Sequence, residues 1–255
     1  MTLNPYEFPM TTATPEIKNR RRRSTLLELL VVIAIASILA ALILPATRSA
    51  RPNSYRTQCQ NNLQNVTLAL IAYASAHKAF PPAYTIDSNG NRLHSWRTLI
   101  LPHLDQQELY DSIDFSKPWN HPANAKAFST TLGVFSCPSA KLPPGFTVYL
   151  GNAAIEGCFD GSQPRPLTDI TDPPGQTLLV VEVSSSHAVH WMAPEDADGD
   201  TIINAAQGSG TAHMGLSMAG FVDGRVRTLS DNLDVSVRRA LISIAGDDAV
   251  DASTL

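Results

Sequence analysis

Three groups of residues in this 255-residue chain have types and spacings suited to chemistry. His213 is followed ten positions later by Asp223-Gly224, and an imidazole with a carboxylate makes a ligand pair or a proton-transfer pair. A plainer reading carries more weight: Asp-Gly suits the two-residue type I′ turn of a hairpin, and His213 then caps a neighbouring loop. The run Glu195-Asp196-Ala197-Asp198-Gly199-Asp200 places aspartates at the first three ligand positions of a calcium loop. Such a loop needs Gly at its sixth position and a bidentate Glu at its twelfth, where this chain has Thr201 and Gln207, so a solvated acidic turn is expected. His187 and His190 stand three apart before Trp191, without the third ligand that a catalytic zinc needs. There is no Gly-x-Ser-x-Gly elbow and no Gly-x-x-x-x-Gly-Lys phosphate loop. The expectation is no catalytic residue, no metal and no cofactor.

Glu28 is the ionisable group in the most costly place. Residues 26–44 read LLELLVVIAIASILAALIL, in which only Glu28 and Ser37 are polar. As a helix the run covers about 29 Å, the thickness of a bilayer's hydrocarbon core. It is apolar all round, where a core helix would show a polar stripe. Five of the 19 basic residues stand just before it, at Lys18, Arg20, Arg21, Arg22 and Arg23. Residues 24–255 carry 14 basic and 21 acidic groups. This asymmetry predicts a cytoplasmic basic leader at 1–23, a transmembrane helix at 24–45 and an extracytoplasmic domain at 46–255. The net charge of −4 gives no overall basic field, so nucleic acid is not expected as a partner. An ionised group costs about 2.5–3.5 kcal/mol at the centre of a membrane helix, less near its end. Glu28 therefore needs a cation at its own depth, or must reach the interface beside Arg23. A cleaved secretory signal peptide also joins a basic to an apolar region, but usually a shorter one. A plain signal anchor leaves Glu28 without a role.

The elements behind the span read as one α+β domain. Residues 54–79 regain the helical period, with Leu63, Val66, Leu70 and Tyr73 on one face, and Phe80-Pro81-Pro82 ends them. The expectation is a long N-terminal helix, first membrane-spanning and then an amphipathic stem, packed on a small antiparallel sheet. Residues 96–128 read as one or two short helices, with Pro102 marking a kink or break. Strands are predicted at 132–136, 147–150, 176–183, 216–222 and 225–229, and a terminal helix at 235–245.

Two resemblances cover most of the chain. Thr25-Leu26-Leu27-Glu28-Leu29-Leu30-Val31-Val32-Ile33-Ala34-Ile35 resembles the N-terminal segment of type IV prepilins and type II secretion pseudopilins. That family reads Gly-Phe-Thr-Leu-Ile-Glu, is cut after the Gly and is methylated on the new N-terminus. By that resemblance Arg23 precedes the cut, Ser24 opens the mature chain, and Glu28 pairs with the free amine of a neighbouring subunit. Arg23 stands in place of Gly and Ser24 in place of Phe, so an uncleaved anchor is the alternative. Gln58-Cys59-Gln60-Asn61-Asn62-Leu63, Phe80-Pro81-Pro82, Ser95-Trp96-Arg97-Thr98-Leu99, Phe135-Ser136-Cys137-Pro138-Ser139, Tyr149-Leu150-Gly151-Asn152 and Thr177-Leu178-Leu179-Val180-Val181-Glu182 resemble the pilin-like domain-of-unknown-function 1559 family. The motif of that family is His, nine residues, then Asp-Gly, which His213, Asp223 and Gly224 match.

The resemblances imply a pseudopilin-like fold and a single-pass protein of the inner membrane, with its C-terminal domain periplasmic or surface-facing. They imply the lipid bilayer, a prepilin peptidase and other pilin-like subunits as partners. Cys59 and Cys137 fall in two of the family-like blocks, which favours them as a disulfide worth about 4 kcal/mol by loop closure; three reduced, buried cysteines are the other reading. The function expected is structural: a non-catalytic assembly protein of a type II secretion or type IV pilus-like system. A membrane-anchored envelope-binding module is the alternative, and an anchored hydrolase using His213, Asp223 or the 187–190 histidines is a weaker one.

Overall fold

The computed structural model describes residues 18–207, 210–247 and 250, with side chains for all of these except 18–24 and 42–53. The expected leader thus falls outside the described residues up to residue 17, as do the side chains of Arg23 and Ser24. The chain divides into two compact units, Met1–Arg51 and Pro52–Leu255. Helix α1 is assigned to Lys18–His77 and contributes to each.

In the first unit every described side chain from 25 to 41 is exposed, Glu28 among them. Ser37 donates its hydroxyl to the Ile33 carbonyl at 2.7 Å, so this polar group is satisfied within the helix. Among the described residues no helix is long and apolar enough to cross a membrane. The described side chains of the 26–44 run end at Ala41.

The second unit is α+β, with small antiparallel sheets and several helices. From residue 54 on, α1 shows one buried stripe of Cys59, Leu63, Val66, Leu70 and Ala74. Lys78 takes a left-handed φ of 60° and turns the chain out of the helix. Strand β1 (Ala79–Phe80) leads into the hairpin of β2 (Tyr84–Ile86) and β3 (Arg92–Ser95). Ser95 then caps α2 (Trp96–Leu99), its Oγ accepting the Arg97 N–H at 3.2 Å. Pro102 lies in a separate 3-10 turn, Leu101–Leu104, closed by Asp105 at φ 57°, so the run breaks into two short helices at that point. Helices α3 (Gln107–Asp111) and α4 (Ala125–Ser129) follow. Residues 132–136, expected as a strand, form a 3-10 turn at Gly133–Phe135 instead. Asn62 of α1 claims this segment's backbone, donating to the Gly133 and Ser136 carbonyls at 2.9 and 2.7 Å.

Of the next strands, β4 (Phe146–Thr147) pairs with β8 (Val189–His190), and β6 (Arg165–Pro166) with β1. The main sheet uses β5 (Tyr149–Gly151), β7 (Leu178–Glu182), β9 (Leu216–Phe221) and β10 (Val226–Ser230), in the order β10-β9-β7-β5, antiparallel throughout. All five residues of β7 are buried, as suits a strand covered on both faces. The remaining helices are α5 (Gly199–Ile203) and α6 (Val235–Ile242). Thr67 of α1 lies directly on β9: a Cβ at Gly220 would come within 2.1 Å of its hydroxyl oxygen. Only glycine permits that approach of helix to strand.

The β9–β10 hairpin forms where Asp223-Gly224 predicts it, but with a different turn. Gly224 has φ 80° while Asp223 is not among the residues of positive φ, which excludes type I′. Backbone bonds from Gly224 N to Phe221 O (2.9 Å) and from Phe221 N to Arg225 O (3.0 Å) close a three-residue loop with left-handed Gly224 last. Asp223 serves through its side chain, accepting the Arg225 N–H and the Arg227 guanidinium, each at 2.9 Å.

A buried ion pair locks α2 to the sheet. Arg97 is fully buried and donates to the Tyr149 carbonyl through Nε and Nη2, both at 3.1 Å, and to Asp196 at 2.7 Å. Asp196 also accepts from Trp96 Nε1 (2.9 Å) and from the Gly151 N–H (2.7 Å). Burial lowers the arginine's pKa and raises the aspartate's, each opposed by the partner's charge. Breaking such a pair leaves a desolvated charge without compensation. Asp196→Ala is expected to cost about 3–5 kcal/mol, read as a shift in the urea midpoint of the full chain; a change below 1 kcal/mol would refute this role.

Candidate functional site

β7 is an apolar strand that ends in a carboxylate. Glu182 pairs across the sheet with Tyr149 of β5, and its main-chain carbonyl accepts the Ser217 hydroxyl at 2.5 Å. Its residue surface is 2% exposed, and neither carboxylate oxygen has a hydrogen-bond partner. Burial pushes the Glu182 carboxyl up to about 8, against weaker pulls from the Met218 backbone N–H and the Arg56 guanidinium. His213 precedes a tight turn, its carbonyl accepting the Leu216 N–H at 2.9 Å, with Gly215 at φ 67°. That turn points the imidazole inward, placing Nε2 3.6 Å from Glu182 Oε2 and 3.8 Å from Cys137 Sγ. Burial and the Arg56 cation lower the histidine's pKa. Burial thus favours the protonated acid and the neutral imidazole, the uncharged form of each group.

Two cysteines complete the cluster. Cys59, on the buried stripe of α1, is bonded to Cys137 on the loop after the Gly133–Phe135 turn, with a Cα–Cα distance of 4.8 Å. The Tyr149 hydroxyl donates to the Cys59 carbonyl at 3.0 Å and ties α1 to β5 at this point. Burial and the carboxyl of Glu182 raise the pKa of that phenol. One ligand-type atom from each of Cys59, Cys137, Glu182 and His213 lies within 4.8 Å of the other three. With the disulfide closed the two sulfurs are not thiolate ligands; only as thiolates would they join the imidazole nitrogen and the carboxylate oxygen in a donor set suited to zinc. Four separate elements supply it: a helix, a loop, a strand end and a turn.

The other sequence candidates disperse. Asp223 and Gly224 stand at the far end of β9 from His213, so the motif is not a proton-transfer pair. His213 does not cap a loop through its ring, which faces Glu182 and Cys137 instead. The aspartates of the acidic run take unrelated tasks. Asp196 is in the buried ion pair, contrary to the expected solvated turn, while Asp198 caps α5 by accepting the Thr201 N–H at 2.8 Å. His187 is exposed beside Ser186. His190 is buried against Phe128 and Trp119, with Nε2 on the Phe128 carbonyl and Nδ1 accepting the Met192 N–H. Cys158 is buried apart from the bridge, and burial pushes its thiol up to about 12. An open concavity of ≈ 550 Å³ between α5 and α6 includes Asp198, Asp200 and Arg239 and none of the four clustered residues.

Sequence reasoning missed Glu182. Its signal is the run Leu178-Leu179-Val180-Val181-Glu182-Val183: a strand apolar on both faces buries whatever polar residue it contains.

Residues 48–154 match the family model described as "Protein of unknown function (DUF1559)", which supports that family for this segment. The match contains Cys59 and Cys137 and stops short of Glu182 and His213. No curated protein and no solved structure matches the chain.

Because the folded state raises the pKa of Glu182, it holds this proton more tightly than the unfolded chain does. Its stabilising contribution is full below the ordinary value of 4.5 and is lost as pH rises through about 8. Glu182→Gln keeps the neutral shape and removes that loss. The disulfide-linked variant, melted from pH 5 to 8.5 (about the range over which the linkage acts) beside the parent, is expected to gain relative stability as pH rises. Parallel pH profiles would show that Glu182 is not protonated in the fold.

Proposed function

We propose that the chain is a non-catalytic, single-pass, pseudopilin-like assembly protein of a type II secretion or type IV pilus-like system. Residues 24–45 anchor it in the inner membrane, and its α+β domain is periplasmic or surface-facing. One observation carries this reading: ten large apolar side chains between Leu26 and Leu39 stand 49–66% exposed around the whole of the helix. Apolar surface of that extent in water is strongly unfavourable, and lipid or the apolar helices of other subunits remove it from water. Glu28 sits within this surface, exposed, with no like-depth cation of its own chain between residues 25 and 41. A neighbour's N-terminal amine supplies that cation if the chain is processed before Ser24. The closed form of the buried cluster agrees with a structural role, since a carboxylate 2% exposed presents no open face to a substrate.

Intact-mass measurement of the membrane-extracted protein tests the processing. A chain beginning at N-methylated Ser24 supports assembly by the pilin route, and retention of Met1 argues for a static anchor. Glu28→Ala is expected to reduce cross-linking between chains in the membrane about tenfold or more, the effect of losing an interaction of about 1.4 kcal/mol, while leaving membrane insertion intact. Unchanged cross-linking would refute the role given to Glu28.

A further inference from the structure

The Cys59–Cys137 disulfide and the two uncharged groups beside it have a geometry that a bridge alone does not require. Zn–S bonds of about 2.3 Å and Zn–N or Zn–O bonds of about 2.0–2.2 Å set ligand separations of roughly 3.3–3.8 Å in a tetrahedron. The His213 Nε2 to Glu182 Oε2 distance is 3.6 Å and the Cys137 Sγ to His213 Nε2 distance is 3.8 Å, at the upper end of that range, and the two bonded sulfurs must separate to reach it. The first pair is too far apart to hydrogen bond, and the second makes only a weak sulfur contact. Glu182 supplies a second, independent observation. Both oxygens of a carboxylate that is 2% exposed lack partners, and Oε2 faces the cluster. Buried polar groups are almost always satisfied, so one left bare has room for a water, an ion or a ligand as partner. The soft sulfur pair favours zinc over calcium or magnesium. The Arg56 cation acts on both Glu182 and His213, but its side chain is exposed to solvent, which screens it.

We propose that, with the disulfide reduced, Cys59, Cys137, His213 and Glu182 bind one Zn²⁺ tetrahedrally, and that closing the disulfide releases it. Opening uses a dithiol: its two sulfurs join as a disulfide, and two electrons and two protons pass to Cys59 and Cys137 as thiols. Binding then releases the two thiol protons and the proton of Glu182 to solvent, while neutral His213 binds through Nε2. In the reverse direction a disulfide oxidant takes two electrons from the two thiolates. The Cys59–Cys137 bond forms, the ion leaves as Zn²⁺, and Glu182 regains its proton. The cluster is thereby a two-state clasp between α1 and the sheet, held by a covalent bond in one state and by a metal in the other.

The test uses the full chain in detergent, with Zn²⁺ alone as the probe. After reduction with a phosphine and dialysis against Zn²⁺, elemental analysis is expected to find one zinc per chain, and none in the oxidised chain. Cobalt in place of zinc is expected to show thiolate-to-metal charge transfer. Glu182→Gln and His213→Ala are each expected to weaken binding about tenfold or more, since even loss of a group that only supports a ligand costs that much. If reduction alone abolishes the near-ultraviolet circular dichroism, its recovery on adding Zn²⁺ supports the site equally, as metal binding is then coupled to folding. If His213→Ala fails to fold, Glu182→Gln, verified as folded in its oxidised form, decides the question. Zinc neither bound nor restoring the fold of the reduced chain overturns the proposal. So does equal binding by the oxidised chain, or undiminished binding by Glu182→Gln.

Discussion

The α+β domain is organised by one contact: the buried stripe of α1 laid on the main sheet. Leu63, Val66 and Leu70 are fully buried, and each such side chain contributes about 1.5–3 kcal/mol on leaving water. The separation of helix from sheet is set where Thr67 meets Gly220, because no side chain fits between them. Thr67 can approach so closely because its hydroxyl turns back to the Leu63 carbonyl at 2.8 Å and asks nothing of the strand. Gln64 adds a polar tie on the same face by donating to the Gly224 carbonyl. With that depth set, Cys59 arrives at the end of β7 where Glu182 stands. The buried cluster is thus a product of helix placement.

Two of the buried carboxylates among the described residues are handled in opposite ways. Asp196 receives an arginine, an indole N–H and a backbone N–H, the set of donors that lets a charge survive away from water. Glu182 receives only a weak pull from the Met218 N–H and the distant Arg56 charge, and is kept by holding its proton. Asp196 is therefore part of the scaffold that fixes α2 against β5. Glu182 is a group with unused bonding capacity among donors of matching chemistry.

Much of the scaffold is legible in the sequence, and the reasons differ by element. Residues 54–77 declare a helix through their apolar period, and the hairpin of β9 and β10 declares itself through Asp223-Gly224. The turn type was not legible, since Asp-Gly fits both a two-residue loop and the three-residue loop found. Residues 132–136 look like a strand because Leu132, Val134 and Phe135 favour one. Asn62, seventy or more positions away, takes the carbonyls a partner strand would need. Of the site, Cys59, Cys137 and His213 could be singled out because they fall in blocks that resemble a known family. Glu182 could not, because its meaning lies in the three elements that close over it. The acidic run shows the reverse error: local composition suggests solvent, while Asp196 answers to Arg97, about a hundred positions before it.

The spacing of His213 from Asp223-Gly224 reflects neither a shared reaction nor a shared ligand. Between them lie a two-residue turn, the six residues of β9 and Val222, so the interval measures out a strand. At one end the ruler sets an imidazole beside a carboxyl and a sulfur; at the other it sets the reversal that brings β10 alongside. Successive strand residues face opposite sides, so inserting or deleting one residue would turn Gly220 away from Thr67 or carry His213 off its neighbours. Substitutions within β9 alter packing at single positions, whereas a change of length desynchronises both ends together. The interval is therefore far less free to vary than most of the residues that fill it.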